Sequence, residues 1–147
     1  MMKTKSYSLA LLAALTLAAT GTAIADENNA PSMEIPLQHP GGDITIDKVV
    51  SNVDGFVVAH EADDEGNPIA PKSIGHTQIK KGSQERVGIV LDRDLDSGEK
   101  IFVMLHEDTG EIGKYEFGPD NTDVDKPVMV DGKPFMKSFQ VSWTGDH

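Results

Sequence analysis

The strongest constraint on this chain is a train of short β-rich runs separated by turn signals, spaced roughly 8–15 residues apart. Ile44, Ile46 and Val49-Val50 form one run, and Phe56-Val57-Val58-Ala59-His60 forms the next, entered through Asp54-Gly55. Ile74 to Ile79 follows a proline-containing loop. Val87, Ile89 and Leu91 alternate apolar with other residues, Ile101 to His106 is entered through Asp96-Ser97-Gly98, and Tyr115-Glu116-Phe117 is short. Phe135, Phe139, Val141 and Trp143 close the pattern. Beyond residue 25 no stretch of helical length carries an apolar stripe of helical period. The pattern therefore predicts an all-β fold, an antiparallel immunoglobulin-like β-sandwich of seven or eight short strands. Alternation predicts burial of Val87, Ile89, Leu91, Ile101, Val103, Leu105, Phe139 and Val141. It does not decide between Phe56 with Val58 and Val57 with Ala59, because all four are apolar.

The first 25 residues read as a cleaved signal peptide. Lys3 and Lys5 form a basic start, Leu9 to Ala19 an apolar core, and Ala23-Ile24-Ala25 a small-x-small cleavage site before Asp26-Glu27. The apolar core is too short to span a bilayer. The rest divides into a tail or linker at 26–42, with an edge strand at Met33–Leu37, a sandwich domain at 43–144 and a short tail at 145–147. The expected location is outside the cytoplasm, periplasmic or extracellular. No membrane span is expected in the mature chain.

The chain contains no cysteine, so neither disulfides nor thiolate metal chemistry can hold it together. Two of its 13 basic residues and none of its 24 acidic ones lie in the leader, so the remainder is more acidic than the whole-chain net charge of −11. Such a surface repels a nucleic-acid backbone and an anionic membrane.

Several of the strand words resemble a known domain. Gly55 to His60, Ile74-Gly75-His76, Ile101 to His106, Gly113 to Phe117 and Ser138 to Val141 are similar, in this order, to an uncharacterised domain of exported proteins. That domain is common in halophilic archaea and found in some bacterial exported proteins. The resemblance spans about residues 43–142. It implies a small extracytoplasmic β-sandwich with acidic loops and brings no established activity.

Histidine is the one side chain here suited to site chemistry. Neutral imidazole is the commonest transition-metal ligand, and a cysteine-free exported protein can use it for copper or zinc. With the 43–50 run as the second strand and strands alternating up and down, His39, His60 and His76 fall towards one end of the sandwich. His106 goes to the other. The expected metal ligands are therefore His60 and His76, completed by His39 or an acid such as Glu61. The bland alternative is that His60 and His106 simply close their strands, bonded to backbone or to the acid that follows.

The other constellations are weaker. Asp92 to Glu99 and Asp120 to Asp125 place carboxylates at near-alternate positions, but the sixth position of the first loop is Ser97, where a calcium loop of EF-hand type requires glycine. Met104 reads as core filler, while Met129 and Met136 flank the Asp131-Gly132 turn and are the thioethers of interest for copper(I). No serine sits in a nucleophile-elbow context. The expectation is a non-enzymatic binding or interaction module without a cofactor, serving an unidentified protein or envelope component. The alternative is a periplasmic copper- or zinc-binding protein.

Overall fold

A computed structural model of the chain describes residues 30–143. The expected leader and the 145–147 tail lie outside them. Seven strands build two antiparallel sheets: β1 (Ser32–Glu34), β2 (Gly41–Ser51), β3 (Gly55–Glu61), β4 (Gly75–Ile79), β5 (Gly82–Leu95), β6 (Lys100–Glu107) and, last in the chain, β9 (Met136–Gln140). Between β6 and β9 a two-residue ribbon pairs β7 (Met129–Val130) with β8 (Lys133–Pro134). One sheet has the order β1-β2-β5, the other β4-β3-β6-β9. The all-β sandwich expected from the run pattern is the fold. Among the described residues, no helix is long and apolar enough to cross a membrane.

The expected edge strand near Met33 is β1. It pairs with the far half of β2 and buries Met33. The domain thus takes in residues from Pro31, and not only from Asp43. Gln38 supports this entry, its amide donating to the Pro36 and Thr45 carbonyls at 2.9 and 2.7 Å while its oxygen accepts the Thr45 N–H.

The two sheets enclose an aliphatic core. Ile44, Ile46 and Val49 of β2 and Val87, Ile89, Leu91 and Leu95 of β5 face Val57 and Ala59 of β3 and Ile101, Val103 and Leu105 of β6. Burying each such side chain contributes about 1.5–3 kcal/mol. Phe139, expected in this core, is half-buried against it on edge strand β9.

The central strands β3 and β6 are buried on both faces, from Gly55 to His60 and from Ile101 to His106. Each therefore reads as an unbroken apolar run rather than an alternating one. The question left open by Phe56 to Ala59 resolves as both: Val57 and Ala59 face the core, and Phe56 and Val58 are buried on the outer face. Gly55 is required where β3 enters, since a Cβ there would lie 1.9 Å from the His106 carbonyl oxygen.

Candidate functional site

Register assigns the outer face. Phe56 lies opposite His106, Val58 opposite Met104 and His60 opposite Phe102. On the flanking strands, His76 of β4 lies opposite Val58, and Met136 of β9 opposite Met104. Outside the sandwich core, then, this sheet carries a second layer of aromatic rings, imidazoles and thioethers.

Two loops cover it. The loop between β3 and β4 brings the Ile69 and Lys72 carbonyls to His60 Nδ1, at 3.0 and 2.8 Å. The loop after β6 lays Tyr115 and Phe117 over the face. The Tyr115 ring meets His76 at 4.7 Å, Phe56 at 5.3 Å and His106 at 5.4 Å between centroids, and Phe117 meets His106 at 4.9 Å.

Asp125 organises the second loop. Fully buried at φ 52°, it accepts the N–H groups of Thr109 and Gly110 on Oδ1, at 2.7 and 3.2 Å, and that of Glu116 on Oδ2 at 2.7 Å. Its own N–H donates to Thr109 Oγ1, and its carbonyl accepts His106 Nδ1–H at 2.7 Å. The acidic 120–125 segment thus spends its last carboxylate on backbone donors. In the other acidic stretch, Asp92 and Asp94 lie on β5 itself, not in a loop.

His60 and His106 are both 0 % exposed, and their rings lie 5.9 Å apart at an interplanar angle of 23°. Each Nδ1 faces only carbonyl oxygens, so each carries its proton there and donates it. Each Nε2 is left with a lone pair and no hydrogen-bond partner. Burial lowers the basicity of both. His106 is held down at about 4, chiefly by burial and also by the proximity of His60. His60 is lowered by burial against the opposing pull of its two carbonyls. Both rings are neutral at neutral pH, and two uncompensated buried lone pairs need an explanation. Burial also pushes the Tyr115 phenol above its ordinary range; its hydroxyl likewise lacks a partner.

The expected grouping of His60, His76 and His39 is corrected. His39 precedes β2, in the opposite sheet, where its ring meets the Ser142 carbonyl at 3.2 Å. Glu61 is held by Arg93, through bonds of 2.9 and 2.6 Å, and Arg93 also clamps Glu99. His76 lies on the same face as His60, but across Phe56 and Tyr115. Among the described residues, no three His, Asp or Glu side chains come together as a set that could hold a metal ion. His106, expected at the far end, is the partner of His60. Strand parity is right about the backbone, since the register separates the two residues along the ladder. It misses the side chains, which meet over the Val58–Met104 pair.

A recess of about 400 Å3 opens beside the β3 end, lined by Glu61, Asp63, Asp64, Arg93, Glu99 and Lys100. Its cations are occupied. Arg93 binds both glutamates, and Lys100 Nζ donates to the Gly66 carbonyl at 3.0 Å. Asp63 Oδ1 caps its own turn by accepting the Glu65 and Asn67 N–H groups. The recess is a braced loop junction, with little left to recognise a ligand.

Residues 31–142 match the family model for a domain of unknown function, DUF7282, and the chain belongs to that family. No curated protein and no solved structure matches the chain. The matched span covers every strand and both loops that close over the paired imidazoles.

Proposed function

We propose that the domain is a non-enzymatic binding module, exported to the periplasm or beyond, whose ligand is a transition-metal ion held between His60 and His106. The observation that carries this reading is the pair of fully buried imidazoles with both Nδ1 protons fixed and both Nε2 lone pairs free. A metal-ligating histidine is oriented by the bond its other nitrogen makes, commonly to a backbone carbonyl. Here both rings have that bond, and their neutral state means no proton must leave before a metal arrives. The two ring centroids lie 5.9 Å apart, within reach of one ion bonded to a nitrogen of each ring at about 2 Å per bond.

The non-enzymatic part of the proposal follows from the surroundings of the pair. His106 lies beneath Tyr115 and Phe117 and His60 against the loop that carries Ile69 and Lys72, a buried place suited to holding an ion rather than turning over a substrate. Export rests on the leader, and native protein with the intact mass of a chain starting at Asp26 is the expected result; retention of Met1 would contradict it.

Metal analysis of the purified protein, with titration of the stripped protein by copper and zinc, tests the binding reading. One equivalent of bound metal, lost in His60→Ala and in His106→Ala and kept in His39→Ala, is expected. Failure of wild-type protein to bind either ion more tightly than micromolar would overturn it and leave the histidines as loop-closing residues of a protein-interaction module.

A further inference from the structure

Resting on that metal reading, we infer that the ion is copper(I), and that its third ligand is the thioether of Met104, with Met136 beside it. Met104 stands between Phe102 and His106 on the outward side of β6. It occupies the ladder row between the row of His60 and that of His106, and it is 3 % exposed. Met136 is its direct register partner on β9, half-buried on the same face. The two rings lie 5.9 Å apart with both Nε2 atoms unpartnered, and Met104 stands on the ladder row between their two positions.

The donor set then decides the metal. Zinc in a protein site takes four ligands in a tetrahedron, and nearly always at least one thiolate or carboxylate, or three imidazoles. None of these completes the His60–His106 pair: the chain has no cysteine, and among the described residues no third histidine or acid joins the two in a ligand set. Copper(I) accepts low coordination numbers and selects thioether sulfur and imidazole.

Charge points the same way. The cost of burying an ion grows with the square of its charge, and every proposed ligand is neutral. The nearest buried carboxylate is that of Asp125, bound to three backbone N–H groups. One such charge balances a monovalent ion and leaves a divalent one uncompensated.

Anaerobic competition titration with a copper(I) chelator, run beside zinc titration, provides the test on wild type, Met104→Leu and Met136→Leu. Leucine conserves volume closely enough to keep the fold, and circular dichroism confirms this for each variant. Wild type should take one copper(I), with zinc at least a hundredfold weaker. Met104→Leu should lower copper(I) affinity at least tenfold and leave zinc unchanged. X-ray absorption of the copper(I) form should show sulfur as well as imidazole nitrogen. Equal copper(I) affinity in wild type and Met104→Leu, with nitrogen scattering alone, would overturn the thioether. Zinc binding tighter than copper(I) would overturn the choice of metal while leaving the paired-imidazole reading standing. Absence of binding by either metal would overturn both.

Discussion

The two faces of the four-stranded sheet are built from the same two central strands, and they differ in what burial leaves over. The inner face, Val57 and Ala59 against Ile101, Val103 and Leu105, is wholly aliphatic and has no polar atom to satisfy. The outer face alternates with it residue by residue, yet carries Phe56, His60, Phe102, Met104 and His106 under two loops. Both faces are dry. Only the outer one keeps unspent polar atoms, the Nε2 atoms of His60 and His106 and the hydroxyl of Tyr115 laid over that face. The contrast separates packing that holds the fold from packing that preserves a chemical capacity.

Substitutions on either face should separate these two roles. The largest loss is expected on the inner face. Leu105→Ala should cost about 2–5 kcal/mol in urea unfolding, because the well-packed sheets around the site cannot collapse into the space, and it should leave metal stoichiometry intact in the folded fraction.

A fall in pH from neutral to about 4 should act chiefly on the outer face. Burial holds His106 at about 4 in the folded protein, against 6.5 for an ordinary imidazole. Between those values the unfolded chain binds a proton that the native state refuses. Stability is therefore complete above about pH 6.5 and falls as the pH drops to about 4, by about 3 kcal/mol. His106→Phe should flatten that part of the unfolding curve.

The cover of the outer face can be loosened through Asp125. Asparagine tolerates the positive φ at this position but replaces one acceptor oxygen with a donor. Asp125→Asn should cost about 2 kcal/mol, by weakening a charged hydrogen-bond cluster, and should raise amide exchange across the loop that carries Tyr115 before it affects β2 or β5. The smallest effect belongs to the rim: Arg93→Ala removes an exposed clamp on Glu61 and Glu99 and should cost about 1 kcal/mol or less, with metal binding unchanged.

Much of this contrast is legible in the sequence and part of it is not. The alternation of Val87, Ile89 and Leu91 marks a strand with one buried face, and the continuous runs at Phe56–Ala59 and Ile101–Leu105 mark strands covered on both sides. That second signal already implies a lid on the outer face. Which residues form it is decided by a long loop whose shape depends on Asp125 collecting backbone donors from Thr109, Gly110 and Glu116, and no periodicity encodes such contacts. Met104 looks like core filler because a thioether packs as a hydrocarbon does; only the register shows it on the histidine face. Parity of strand ends separates His60 from His106 because it counts backbone positions, and imidazole side chains reaching toward each other close that gap.

Long-range proton–nitrogen NMR of the imidazoles tests the central claim most directly. In the metal-free protein at neutral pH, His60 and His106 should both appear as the Nδ1–H tautomer with unprotonated Nε2. One equivalent of copper(I) should then move both Nε2 resonances together, while His39 stays in place. An Nε2–H tautomer at either ring, or a shift confined to His39 or His76, would contradict the paired site.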